Sequence, residues 1–317
     1  MKYRSAFAGV FLCCALTLLS SCSINKMATK AVANALTGEG SGAVFTGDTD
    51  PELIAGALPF AIKMYEALLS TQPNHQGLIL TTGSLFVMYA NAFIQGPAEM
   101  LPSEEYLERA EQMERARKLY LRGAEILASG LEKKYRGWND AYGKGVQPSY
   151  LAKVKKADVP LIYWHAAGIL SAYAMNPFDL DLGMRLPELT AAIARAYELD
   201  PDFNSGALDD FYVLFYSSVP EGMGGDPSKV ETHYQRALEK SQGGLAGPYV
   251  SYAQAVCVPA QDIETFKSSL ESALAVDIEK DPASRLVNIM AQRKARYLLN
   301  TAPELFAELD ADTWGEW

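Results

Sequence analysis

The side chains able to make or break bonds are scattered along this chain. His75, His165 and His233 each lack a second ligand-type residue one helical turn away, so the sequence predicts no metal site. Cys257 sits in the apolar run Ala255 to Val258 and reads as a small core residue. Asp209 and Asp210 are adjacent, and neighbours on a helix point about 100° apart, which does not suit a paired-carboxylate hydrolase. Glu221-Gly222-Met223-Gly224-Gly225 lacks the preceding strand and the Lys-Ser or Lys-Thr pair of a phosphate-binding loop, and reads as an insertion between helices. No Ser-His-Asp or Cys-His arrangement is evident, so neither an enzyme nor a cofactor is expected. What the residue types do offer is recognition. Tyr163 and Trp164 are aromatics with one polar edge, suited to pocket walls and interface anchors, although Trp164 is more simply a packing residue. Phe211, Tyr212, Phe215 and Tyr216 form an aromatic face that is first of all core.

One cysteine stands in a different setting. Lys2 and Arg4 open the chain, Ala6 to Leu19 is apolar apart from Gly9 and Thr17, and Leu19-Ser20-Ser21-Cys22 follows. A membrane span would need roughly 20 apolar residues; this run is shorter and ends in small residues, as a cleaved export signal does. An aliphatic residue three before a Cys, with small residues between, resembles the bacterial lipoprotein site, whose thiol is acylated and whose chain is cut just before it. Cys22 is therefore the expected lipidation site and first mature residue. Ser23 follows it where an Asp would signal inner-membrane retention, and the leaflet stays open. Cys13 and Cys14 leave with the signal, so Cys257 alone remains and no intrachain disulfide is expected.

The full chain has 317 residues, 28 basic and 38 acidic, for a net charge of -10. Removing Lys2 and Arg4 leaves 26 basic against 38 acidic groups, a net -12 over 296 residues. Such an excess of acid with no basic tail argues against nucleic-acid binding. At 49% hydrophobic and 21% charged the body is that of a globular protein with a full core. No stretch after the signal is expected to span a membrane, so two or more acyl chains would supply the attachment.

Those candidate residues must be held by helices. Residues 22–49 are small and polar and read as a lipidated tether, within which a short helix from Ile24 to Leu36 fits. From residue 50 to 317 the spacing predicts a single all-α domain, with helices over 51–70, 78–95, 103–135, 160–175, 185–199, 206–218, 227–240, 249–257, 262–276 and 282–299. Asp50, Asp226 and Asp281 each precede a Pro, an N-capping carboxylate before a ring fixed at helical φ. Glu104 to Glu114 followed by Arg115 to Arg122 places acid early and base late on one helix, which needs no function. Lys153, Lys155 and Lys156 could steer an anion but read first as solvated surface. Trp164, Ala167 and Gly168, then Leu189, Ile193, Ala196, Leu199 and Pro201, have the offsets of a tetratricopeptide unit, and Ala61, Tyr65, Leu68 and Pro73 those of another second helix. Stacked helical hairpins in a TPR-like α-solenoid are the expected architecture.

Several runs go beyond a generic repeat. They are Tyr89-Ala90-Asn91-Ala92-Phe93, Arg115 to Arg122, Leu161 to Ala167, Gly206-Ala207-Leu208, Gly224-Gly225-Asp226-Pro227, Pro248-Tyr249-Val250-Ser251-Tyr252-Ala253 and Arg293 to Leu299. With the lipobox, these resemble the T component of TRAP transporters, tripartite ATP-independent periplasmic systems, over about residues 50–310. Asp209 follows Gly206-Ala207-Leu208 where a His is expected in many members. The resemblance implies a periplasmic, membrane-anchored lipoprotein that forms a homotrimer and carries an internal pore. It also implies binding to the solute receptor, or P component, in handling a small apolar or organic-acid ligand. Tyr163, Trp164, Asp209, Tyr212 and Tyr249 are the candidates for ligand or partner binding. The alternative on the same fold is a TPR scaffold lipoprotein for envelope or outer-membrane assembly.

Overall fold

The computed structural model describes residues 27–38, 40–141, 149, 151–309, 314, 315 and 317, and these hold helices and no strand. The signal segment and Cys22 lie outside the described residues. Helix α1 covers residues 27–36 and α2 Ala43–Thr46. They lead to α3 (Pro51–Thr71), α4 (Gln76–Ala90), α5 (Gly96–Glu99) and the long α6 (Tyr106–Lys134). Next come α7 (Val159–Met175), α8 (Leu180–Gly183), α9 (Leu186–Leu199), α10 (Ala207–Ser218) and α11 (Pro227–Ser241). The C-terminal part holds α12 (Gly247–Tyr252), α13 (Val258–Ala260), α14 (Ile263–Leu274), α15 (Arg285–Asn300) and α16 (Ala302–Leu305).

Local chemistry sets many of these boundaries. Asp50 accepts from the Leu53 amide at 2.9 Å and Asp281 from the Ala283 amide at 3.1 Å, each beside a first-turn Pro. Asp226 differs from its expected role: its carboxylate takes the Ser228 hydroxyl at 2.6 Å, and α11 has no side-chain cap. His75 caps α4 through Nδ1, 3.1 Å from the Leu78 amide, while its Nε2 meets Asn34 at 2.8 Å. Two helices carry a π turn, Asn91–Gln95 between α4 and α5 and Ala253–Cys257 between α12 and α13. Each ends two residues before a proline, Pro97 or Pro259. A proline has no N–H for the carbonyl four residues back, and widening the preceding turn accommodates that gap without ending the helix.

The helices pack in two series. In the inner one α3 packs on α4, α4 on α7, α7 on α10, α10 on α12 and α12 on α15, and α15 returns to α3. The contacts therefore form a closed cycle. Outside it α6 packs on α4 and α7, α9 on α7, α11 on α10 and α12, and α14 on α12 and α15. Closure has an apolar part, Leu286 of α15 buried with Ile54 and Leu58 of α3. Its polar part comprises Arg293 bound to both oxygens of Glu52, Arg285 Nη1 to the Gly47 carbonyl at 2.9 Å, and Lys294 to Glu99 at 2.8 Å. Asp158, buried just before α7, accepts from Lys134 and Tyr135 at the end of α6 and so pins the α6–α7 connection.

By length and composition, α3 and the continuous rod Gln76–Glu99 are apolar enough to cross a membrane, contrary to the expectation from sequence. In α4 the surplus serves the core: Leu78, Ile79, Phe86 and Val87 are all buried.

The tightest crossing is at α4, α6 and α7. A Cβ on Gly83 would stand 2.4 Å from Leu127 Cγ, and one on Gly123 would stand 2.7 Å from the Gly83 carbonyl oxygen. Helix propensity alone favours Ala over Gly by about 1 kcal/mol, but here backbone blocks the methyl, so strain decides the sign. Gly123→Ala is expected to destabilise the protein by about 1–3 kcal/mol in urea unfolding. Gly56→Ala on α3, where nothing lies within 4 Å of the added carbon, should be neutral or stabilising by up to about 1 kcal/mol. Equal behaviour of the two variants would refute this account of the crossing.

Candidate functional site

The chain between α9 and α10 turns through left-handed backbone at Asn204, Ser205 and Gly206, the last with φ 99° and its Cα face against Ala237 of α11. This turn delivers two adjacent carboxylates to opposite environments. Asp209 is fully buried and accepts from His233 Nδ1 at 2.7 Å, Lys240 Nζ at 2.6 Å and the Tyr197 hydroxyl at 3.1 Å. Lys240 also reaches the Pro201 carbonyl at 2.5 Å and lies 4.7 Å from the Tyr197 ring centre. Burial pushes the Asp209 carboxyl up, but the hydrogen bonds from His233 and Lys240 and the Lys240 charge outweigh it and hold it below its usual range. Lys240 loses by burial and gains more from Asp209 and Tyr197, so it sits above its ordinary value. Tyr212 closes the group, its ring 4.7 Å from His233 and stacked at 5.1 Å on Tyr216. Asp209 and Tyr212 thus share one cluster that ties α9, α10 and α11. His233, isolated in sequence, is paired in space with an acid 24 positions away.

Asp210 has the reverse setting. Its Oδ1 is shielded from solvent with no hydrogen-bond partner. Burial pushes its carboxyl up to about 6, with the Ser251 hydroxyl of α12 opposing. The Tyr163 phenol of α7 is raised first by burial and then by the Asp210 charge. Tyr163 meets Trp164 edge-on at 5.2 Å and Phe203 at 5.2 Å, and Trp164 packs against the main apolar core. Tyr163, Asp210 and Ser251 therefore join three consecutive helices of the inner cycle. Tyr249, two residues before Ser251 and so about 200° around the helix, packs instead against Tyr234 of α11 at 6.4 Å. The five candidates fall into three neighbourhoods: Asp209 with Tyr212, Tyr163 with Trp164, and Tyr249 alone.

Sequence reasoning missed a further polar chain. The Tyr120 hydroxyl donates to Gln95 at 2.6 Å, Gln95 to Glu99 at 2.7 Å, and Lys294 of α15 to Glu99 at 2.8 Å. Burial raises the Tyr120 phenol, and the Asn91 and Ser171 side chains oppose that shift. Asn91 and Gln254 occupy matching places in Tyr89-Ala90-Asn91-Ala92 and Tyr252-Ala253-Gln254-Ala255, each inside a π turn and each exposed. The repeated Tyr-Ala-amide-Ala run, with a proline downstream, was the available signal.

Other singled-out residues have packing roles. Cys257 is buried and its thiol is pushed up to about 12, chiefly by burial. His165 is buried with Nδ1 3.0 Å from the Ala124 carbonyl, and burial lowers it to about 4. Gly222, Met223 and Gly224 border an open, mainly apolar groove of about 440 Å³ against Pro187, Thr190, Ala191 and Ala194 of α9. Lys156 pairs with Asp200 at 3.0 Å. No cluster of three metal-ligating side chains occurs among the described residues.

A family model described as TRAP transporter T-component matches residues 47–306, most of the chain. The chain is also similar to an uncharacterized protein of Treponema pallidum (strain Nichols), 33% identical over 327 residues, which covers 97% of this chain and all of that protein.

The two carboxylates predict opposite pH behaviour. Asp209 is depressed in the folded state, so its stabilisation is present above its unfolded pKa of about 3.9 and lost as pH falls through the folded value. Lys240→Met, which strands the buried carboxylate, should cost about 3 kcal/mol at pH 7 and less below pH 4. Asp210 is raised, so its ionisation burdens the fold increasingly between about pH 4 and 6. Asp210→Asn should therefore stabilise by about 1–2 kcal/mol at pH 7, an advantage that disappears toward pH 4. Urea titrations across pH check both signs.

Proposed function

The chain belongs to the TRAP transporter T-component family, and from that premise we propose that it is the lipoprotein partner of the periplasmic solute receptor, the P component. On this reading Cys22 carries the acyl anchor and the helical body sits in the periplasm, assisting the binding or transfer of a small apolar or organic-acid ligand. The body is a TPR-like stack of helical hairpins and the working unit a homotrimer. It performs no catalysis of its own and takes no cofactor.

The observation that carries the reading is the family match over residues 47–306. The closed cycle α3–α4–α7–α10–α12–α15 supports it, since a ring of helices is the frame an internal passage requires. Tyr163, Asp210 and Ser251 offer hydroxyl and carboxyl groups on that frame, and the polar chain from Tyr120 of α6 to Lys294 of α15 adds amide and ammonium groups beside it. A ligand carboxyl could pair with Asp210 once the latter is protonated, which its raised pKa favours as the pH falls toward about 6.

Crosslinking the lipidated protein in its own membranes and identifying the captured proteins tests the proposal. The expected result is a periplasmic solute receptor in near-equal amount. Capture of envelope assembly factors or an outer-membrane barrel would replace the transport reading with the scaffold reading.

A further inference from the structure

Helix α3 has two apolar faces, and the protein core uses only one. Ile54, Leu58, Ile62 and Tyr65 are buried against α1 and α4. On the other side Leu53 is 60% exposed, Phe60 76% and Met64 36%, and Ala57 and Ala67 are also exposed. At about 100° per residue these five fall within one stripe roughly 80° wide and about 21 Å long. The neighbouring α1 and α2 add Met27 at 70%, Val32 at 48% and Val44 at 70%. Six exposed large apolar side chains thus lie between residues 27 and 64; a second group, Phe178, Leu180 and Met184, lies after α7.

We propose that this stripe of α3 rests on the lipid bilayer and fixes the orientation of the helical body against the membrane. The inference rests on the acylation of Cys22 proposed above. Five Cα-to-Cα steps lead from Cys22 to Met27, a reach of at most about 18 Å, so an acylated chain holds α1 close to the bilayer. Helix α1 is in turn fixed to α3 by buried Ala33 and by the Tyr65 hydroxyl on the Leu36 carbonyl at 2.9 Å. Charge agrees with the placement. The protein is strongly acidic, yet the two acids of α3 are both neutralised, Glu52 by Arg293 and Glu66 by Lys63 and Arg122. This face therefore approaches an anionic headgroup layer with little repulsion, and Lys63 borders the stripe. Because the opposite face of α3 is buried in protein, the helix lies along the interface and does not cross it.

The test uses the full acylated protein in vesicles of phosphatidylethanolamine and phosphatidylglycerol. A polarity-sensitive fluorophore is attached at Phe60→Cys or, as control, at Phe178→Cys, a residue 90% exposed on the connection between α7 and α8. Buried Cys257 leaves the introduced thiol as the accessible one. The expected result is a blue shift at position 60, with quenching by lipid-borne nitroxide and loss of quenching by aqueous iodide, while position 178 stays aqueous. Phe60→Asp, at an exposed site, should leave the fold and vesicle recovery intact but abolish the blue shift of a label at Leu53→Cys. An acylated, vesicle-bound protein whose position 60 remains quenched by iodide would overturn the proposal and spare the anchor. Protection that persists in detergent, with crosslinks between copies through position 60, would overturn it in favour of a second copy of this chain. Mass spectrometry of the N-terminal peptide reads the acyl group separately, and its absence would defeat the anchor and this inference together.

Discussion

The architecture depends on the return of α15 to α3. A row of helices packed side by side can extend indefinitely; a row whose last member must meet its first has its curvature fixed at every step. That requirement explains the close crossing of α4, α6 and α7, where Gly83 and Gly123 let the helices approach to distances a single methyl would prevent, and Gly168 to distances a methyl would strain. It also explains why the seam combines an apolar contact through Leu286 with directional bonds from Arg285, Arg293 and Lys294. Apolar packing tolerates sliding between helices, whereas a guanidinium gripping both oxygens of one carboxylate fixes the register.

Buried ions recur where the hydrophobic effect cannot specify geometry. Asp158 holds the end of α6 to the start of α7, and Asp209 holds α9, α10 and α11 together. Both sit at connections, where there is little helix surface to pack and a carboxylate can collect donors from several directions. Such pairs add little net stability compared with apolar packing, but they penalise any arrangement that leaves the charge alone. Next to this fixed acid, Asp210 keeps an unused oxygen. Adjacent residues of one type thereby separate a structural group from an available one.

The helices were legible because local rules decide them. The three-and-four spacing from Leu186 to Leu199 and the Asp-Pro start at Asp50 place α9 and α3 within a residue or so of their observed limits. The predicted helix over 249–257 runs unbroken from Gly247 to Ala260, but its π turn depends on a proline beyond the element and escapes a periodicity argument. The site was much less legible. Asp209 finds His233 and Lys240 at 24 and 31 positions away, and Glu99 finds Lys294 at 195. No spacing rule within a helix reaches so far. Tyr163 and Asp210 are recognisable residue types, yet only the packing of α7 on α10 makes them neighbours.

The seam also has a consequence in time. Arg293 and Glu52 are 241 positions apart, and a chain grows from its N-terminus at roughly 5–20 residues per second. The receiving surface of α3 must therefore wait about 10–50 s for its counterpart, far longer than the microseconds in which a helix forms. Throughout that interval the surface of α3 that receives α15 has no partner. Whatever shields it then is as much a requirement of this fold as any contact in the completed ring.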